Sequence, residues 1–190
     1  MRKLILVVHS SFDGFVASPD GSFDKFVGGD TTLSFVCDLI DDAGAALFGR
    51  RSYELLDAHW PTAADKPDAS KDAIKYSNWY NKVPKYVLSD TLKQGSPGNT
   101  HIIGGNISEE INKIKQEPGK NILVFGGPTA TQTLIDLSLL DGFWLILYPA
   151  IFGEGIPMFK EDVKKVITLK LAETKQLSGD IICVNYNIDK

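Results

Sequence analysis

The clearest chemistry in this sequence lies in Asn121-Ile122-Leu123-Val124-Phe125-Gly126-Gly127-Pro128-Thr129. The run from Asn121 to Phe125 reads as a buried strand, as in a parallel sheet covered on both faces. Gly126 and Gly127 carry no Cβ, so a ligand can come close to the backbone there. Pro128 suits the first turn of a helix, where its missing N–H is no loss. The free N–H groups and positive end of that helix favour an anion, most often phosphate. Open α/β sheets bind ligands at this place, the carboxyl end of a strand. A plain strand-to-helix turn has the same pattern, so the rest of the chain decides its meaning.

A second group follows Gly49: Arg50, Arg51 and Ser52. An arginine fork pairs bidentately with phosphate, and Ser52 falls where a helix presents free N–H groups. Two solvated surface arginines are the plainer reading. Candidates for polar work in a pocket are His9, Asp13, His59 and Tyr148. Tyr148 lies late in an apolar run and is placed to donate a hydrogen bond, although a buried tyrosine usually finds a structural partner. Asp13-Gly14 also reads as a turn pair. His59 sits beside Trp60 and reads as packing, and His101 carries no role. No Ser-His-Asp arrangement and no metal-ligand spacing is visible.

These residues need a scaffold. Strands are expected over residues 2–9, Ala45–Phe48, Pro84–Leu88, Thr100–Ile103, Asn121–Phe125 and Phe143–Ile151. Lys165–Glu173 and Ile181–Ile188 alternate with period two around Ser178-Gly179-Asp180, an antiparallel edge hairpin. Helices are expected over 31–42 with Asp30 as N-cap, from Arg51 or Ser52, over Ala69–Asn81, over Glu109–Gln116 capped by Ser108, and after Gly127. The last should place Ala130, Leu134 and Leu137 on one face. Residues 10–29, 57–68 and 152–157 read as loops, and Gly95 to Asn99 as a turn cluster. Phe12, Phe15, Phe23, Phe26 and Trp60 would line a cleft between the first two loops. The expected fold is a three-layer α/β/α sandwich with an eight-stranded, mostly parallel sheet and an antiparallel C-terminal hairpin.

The chain has 190 residues, which fits one domain over 1–190 with a sizeable core. Its net charge of −4 gives no basic footprint for nucleic acid. No apolar run reaches membrane-spanning length. Leu4 to Val8 stops at His9 without a cleavage pattern and reads as the first strand, not a leader. Cys37 and Cys183 read as small core residues of a reducing, cytoplasmic compartment.

Five segments in order resemble the dihydrofolate-reductase-like family, and most closely its branch similar to the C-terminal reductase domain of the bifunctional riboflavin-biosynthesis deaminase–reductase. They are Ser10-Ser11-Phe12-Asp13-Gly14-Phe15-Val16-Ala17, Phe48 to Glu54, Val87-Leu88-Ser89, Phe125-Gly126-Gly127 and Pro149 to Gly155. The resemblance runs from residue 2 to about 188. It implies an NADPH-dependent reductase. Gly126 and Gly127 would contact the pyrophosphate, with Thr129 near the helix start. Gly49, Arg50, Arg51 and Ser52 would hold the 2′-phosphate and pyrophosphate, and two adjacent arginines favour NADP over NAD. Ser89 would add a hydroxyl, and Gly104 to Asn106 would edge the adenine. The backbone at His9 and Val16 would flank the nicotinamide, under the loop around Asp13. Tyr148 and Asp13 are the residues assigned to the chemistry.

One departure stands out. True dihydrofolate reductases carry a carboxylate on the first helix, and the matching position falls near Thr32 or Leu33. The expected substrate is therefore a small heterocyclic or carbonyl-type molecule. The rivals are a non-catalytic NADP(H)-binding module and a pterin reductase using Asp30 or Asp38. The zinc signature of a deaminase half is absent. Relatives are often homodimers, which the edge hairpin or the run at 143–151 would serve.

Overall fold

The computed structural model describes residues 1–93, 95, 98–159 and 166–189. Eight strands form the main sheet. In chain order they are β1 (Leu4–Ser10), β3 (Ala43–Gly49), β4 (Lys85–Leu88), β5 (Thr100–Ile103), β6 (Asn121–Phe125), β7 (Gly142–Leu147), β9 (Leu169–Gln176) and β10 (Ile182–Ile188). Their spatial order is β5-β4-β3-β6-β1-β7-β10-β9. The six from β5 to β7 run parallel, and β10 pairs antiparallel with both β7 and β9. Parallel strands need crossover helices, which is why the central runs are apolar on both faces.

Period two splits those strands between two cores. Val7, Phe48, Val87, Leu123 and Ile146 pack on one face with α1 (Gly29–Ile40), α2 (Arg50–Asp57) and α3 (Lys71–Lys82). Leu4, Leu6, Leu47, Ile122 and Val124 pack on the other with α4 (Ile107–Gln116) and α5 (Pro128–Asp136). Both cysteines are buried and free, as core residues should be.

Several local expectations are corrected. Residues 15–17 and 156–157, expected as loop, form a small antiparallel ribbon, β2 (Phe15–Ala17) with β8 (Ile156–Pro157). Helix α1 starts from Gly28 with Asp30 inside its first turn, so Asp30 is not the cap. Asn106, not Ser108, caps α4, accepting from the Glu109 N–H at 3.3 Å. Residues 60–65 form a 3-10 turn within the expected loop. Leu137 is exposed beyond the end of α5. Strand β7 ends at Leu147, so Tyr148 follows the strand instead of lying in it. The edge strand is shifted to Leu169–Gln176. Lys165, Ser96 and Pro97 lie outside the described residues.

Candidate functional site

Adjacent strands β3 and β6 each run directly into a helix. Gly49 is the N-cap of α2 and Gly127 the N-cap of α5, and neither helix start has a side-chain cap. The first N–H groups of both helices are therefore left for another acceptor. The two starts touch: a Cβ on Gly49 would lie 3.9 Å from the Gly127 nitrogen, and one on Gly127 would lie 3.7 Å from Ser52 Oγ.

The three glycines differ in what they serve. A Cβ on Gly49 would fall 3.0 Å from Ala130 Cβ, and one on Gly126 3.3 Å from the same atom. Those two glycines let α5 pack close to the sheet. Gly127 has an ordinary φ of −72°, and a Cβ there would meet nothing closer than 3.7 Å. No protein contact demands glycine at 127, whereas a phosphate close to the backbone would. The donors and the open space at Gly127 fit the diphosphate of a dinucleotide.

Arg50 bridges α2 to the turn after β4. Its Nε donates to Glu54 Oε1 at 2.8 Å and its Nη1 to Thr91 Oγ1 at 2.7 Å. Ser89 Oγ shapes that turn by accepting from the N–H groups of Thr91 and Leu92 at 3.2 and 2.9 Å. A Cβ on Gly104 would lie 3.2 Å from the Ser89 carbonyl oxygen, so the ends of β4 and β5 meet there. Arg51 is exposed, and no hydrogen bond or ion pair engages it among the described residues. Thr129 is exposed in the first turn of α5. Asn106 has both ends of its amide committed to the start of α4.

A second corner forms at the ends of β1 and β7. The β1–β7 register sets His9 opposite Ile146, and the Tyr148 N–H donates to the Ser10 carbonyl at 2.9 Å. Tyr148 Oη then lies 2.9 Å from His9 Nδ1. Thr32 is buried on α1, its hydroxyl donating to the carbonyl oxygens of Gly28 and Gly29 at 3.2 Å. Burial pushes the Tyr148 phenol up and pulls His9 down to about 4, so both groups are neutral at physiological pH. The Phe26 ring covers the pair, its centroid 4.7 Å from Tyr148 and 6.1 Å from His9. Beside it, a cleft of about 530 Å³ is lined by Gly28, Asp30, Thr31, Tyr148, Ser178 and Gly179 among others.

Asp13 has a different occupation from the chemistry expected of it. It accepts from Ser11 Oγ at 2.6 Å, from the Phe152 N–H at 3.0 Å and from the Gly153 N–H at 2.8 Å. The Ser11 hydroxyl and these N–H groups lower its pKa to about 2. It is a carboxylate clasp between two loops, which the β2–β8 ribbon extends. Val16 sits in that ribbon, half-buried against the α4/α5 core.

Of the expected aromatic lining, Phe26 alone contacts both His9 and Tyr148. Trp60 instead packs into the core 4.3 Å from Tyr76, and Phe12 is exposed. His59 stands edge-on to Trp60, as packing predicts. Asp38 pairs with Lys175 at 3.0 Å, so it is no substitute for the missing helix carboxylate. Sequence reasoning missed Ser11 and Thr91, and it noted Thr32 only for what it lacks. Among the described residues no group of acidic, histidine or cysteine side chains could hold a metal, and no helix is long and apolar enough to cross a membrane.

The chain is 35% identical to YyaP, an uncharacterized protein of Bacillus subtilis, over 98% of this chain and 95% of that one. Its fold matches a putative riboflavin biosynthesis protein from Shewanella with a TM-score of 0.74 at 17% identity, covering 99% of each chain. It also matches dihydrofolate reductase from Enterococcus faecalis, complexed with NADP(H), with a TM-score of 0.65 at 14% identity, over 99% of this chain and 97% of that one. The fold is thus dihydrofolate-reductase-like. The sequence model of the RibD C-terminal domain spans residues 2–183, and the chain belongs to that family.

Proposed function

We propose that the protein is an NADPH-dependent reductase of a small heterocyclic or carbonyl-type substrate. The observation that carries this reading is the pair of uncapped helix starts meeting at Gly127, with Arg50, Arg51 and Ser52 alongside. Family membership and a neighbour complexed with NADP(H) support it. When bound, the dinucleotide supplies the hydride, and the protein supplies position and electrostatics. The N–H groups of α2 and α5 hold the diphosphate. Arg51 and the free part of the Arg50 fork hold the 2′-phosphate. His9 and Tyr148, kept neutral by burial, offer hydrogen bonds without placing a charge in the cleft. Phe26 and the Asp13 clasp hold water away from that corner.

The test is a calorimetric titration of the protein with NADPH and, in parallel, NADH. NADPH should bind the more tightly. Replacing Arg50 and Arg51 by alanine should cost NADPH about ten-fold or more, roughly 1.4 kcal/mol, and NADH little. Equal loss for both would sink the 2′-phosphate assignment. Thr32 in place of a helix carboxylate favours one second reading, a non-catalytic NADP(H)-binding module. That module would bind NADPH and turn over no carbonyl or imine.

The reading includes a homodimer through β9. Every residue of β9 is exposed, Leu169 and Leu171 among them, and an open sheet edge is a template for pairing. Light scattering should return twice the chain mass; the single mass would remove the dimer.

A further inference from the structure

The two adjacent arginines after Gly49 are held differently. Arg50 has a carboxylate on one side and a hydroxyl on the other. Its Nε donates to Glu54 Oε1 at 2.8 Å, one turn further along α2, and its Nη1 to Thr91 Oγ1 at 2.7 Å, in the turn after β4. Thr91 is itself a fixed post, because its N–H and that of Leu92 both donate to Ser89 Oγ. Arg51 is exposed and has no such partner among the described residues. A guanidinium carries five N–H groups. Glu54 and Thr91 take two from Arg50, which leaves both on Nη2 and one on Nη1. The Arg50–Glu54 pair is half exposed, and such a pair adds little to stability. It also sets a negative charge beside the place proposed for the cofactor's extra phosphate, where repulsion alone counts against it. Holding the fork in advance offsets that repulsion: a free arginine loses rotamer freedom when it binds, and one already held loses less.

We infer that Glu54 and Thr91 are positioning residues that aim the Arg50 fork, leaving its three remaining N–H groups for the 2′-phosphate of a dinucleotide. The inference rests on the reductase reading for the identity of that phosphate. Arg51 is the adaptable partner, ordered when the ligand arrives. Discrimination between NADPH and NADH then depends on two side chains that act through Arg50 and need not touch the cofactor.

The test is calorimetric titration of Glu54→Leu, Glu54→Gln, Thr91→Val and Thr91→Ser with NADPH and NADH. Glu54→Leu takes away a negative charge, so repulsion alone predicts tighter NADPH, whereas loss of aim predicts weaker. The NADPH-to-NADH affinity ratio should fall about five-fold in Glu54→Leu and about three-fold in Thr91→Val. Glu54→Gln and Thr91→Ser each keep an acceptor for Arg50 and should keep at least the wild-type ratio. NADH affinity should be unchanged throughout. Tighter or unchanged NADPH in Glu54→Leu, no rescue by Glu54→Gln, or equal losses for the two cofactors would overturn the inference. A second measurement needs no cofactor. The chain has three arginines, so labelling it with 15N-arginine gives three Nε–H signals, and Arg50→Lys and Arg51→Lys assign two of them. In the free protein the Arg50 Nε–H should exchange with solvent more slowly than that of Arg51, and Glu54→Leu should remove the difference. Equal rates in the wild type, or slow exchange that survives Glu54→Leu, would overturn the aiming role. No preference for NADPH in the wild type would remove the phosphate assignment, while slow exchange at Arg50 would still show the fork held. Fast exchange beside a clear preference for NADPH would overturn the inference and leave the reductase reading intact.

Discussion

At the amino ends of the strands, Lys115 is buried with its Nζ 2.6 Å from Asp141 Oδ2 and 3.0 Å from the Leu139 carbonyl. The same carboxylate accepts from the Leu4 N–H at 2.7 Å, and Arg2 Nε donates to the Lys120 carbonyl at 2.7 Å. At the carboxyl ends, α2 and α5 start without side-chain caps and Arg51 is exposed. Burying a charge is tolerable only when it is matched, and the amino end matches its charges. The carboxyl end leaves those donors without a side-chain acceptor, where a ligand can collect them. The first arrangement serves the fold, and the second is the one on which the proposed function rests.

That division predicts opposite outcomes for mutations at the two ends. Lys115→Met should leave the Asp141 carboxylate without its buried cation and cost about 3 kcal/mol of stability. NADPH affinity, measured well below the melting temperature, should be unchanged. A joint loss of stability and affinity would mean the two ends are not separable. Gly127→Val should do the reverse, weakening NADPH more than about 100-fold at an unchanged melting temperature. Gly49→Val sharpens the contrast, because its Cβ would meet Ala130 Cβ at 3.0 Å and lower the melting temperature as well. Wild-type NADPH binding by Gly127→Val would refute the cradle.

The strand-to-helix geometry at the two glycine turns was legible because it is contiguous. Strand, glycine pair, proline and helix start follow one another within Asn121 to Thr129, and Gly49 to Ser52 repeats the logic. Eight strands were expected and the main sheet has eight, since each is four residues or longer. The β2–β8 ribbon is too short for any periodicity to register, with three residues against two. Helix starts were misplaced by two residues at Asp30 and Ser108, because acids and serines in a first turn look like caps. The polar corner was not legible. His9 lies on β1 and Tyr148 just past β7, 139 residues apart, and only the β1–β7 pairing brings them together. Trp60 looked like a cleft wall for the opposite reason: nothing in its neighbours shows that Tyr76 will bury it.

A smaller effect sharpens the comparison through pH. Burial lowers His9 from 6.5 to about 4 in the folded state. Between those values the unfolded chain takes a proton that the folded one refuses, so stability falls as pH drops from about 6.5 and levels off near 4. The ring is half-buried, which discounts the full linkage to about 2 kcal/mol. Asp13 acts in a separate window. Hydrogen bonds from Ser11, Phe152 and Gly153 lower it from 3.8 to about 2, so its contribution persists above 3.8 and is lost only on approaching 2. Denaturant melts across this range should therefore show two acid steps, the upper carried mainly by His9 with an addition from His59, which burial also lowers, and the lower by Asp13. His9→Gln should remove most of the upper step and leave the lower one, whereas Asp13→Asn should do the opposite. An upper step that survives His9→Gln in full would assign that proton to another group, and the neutral character of the corner would no longer explain its burial.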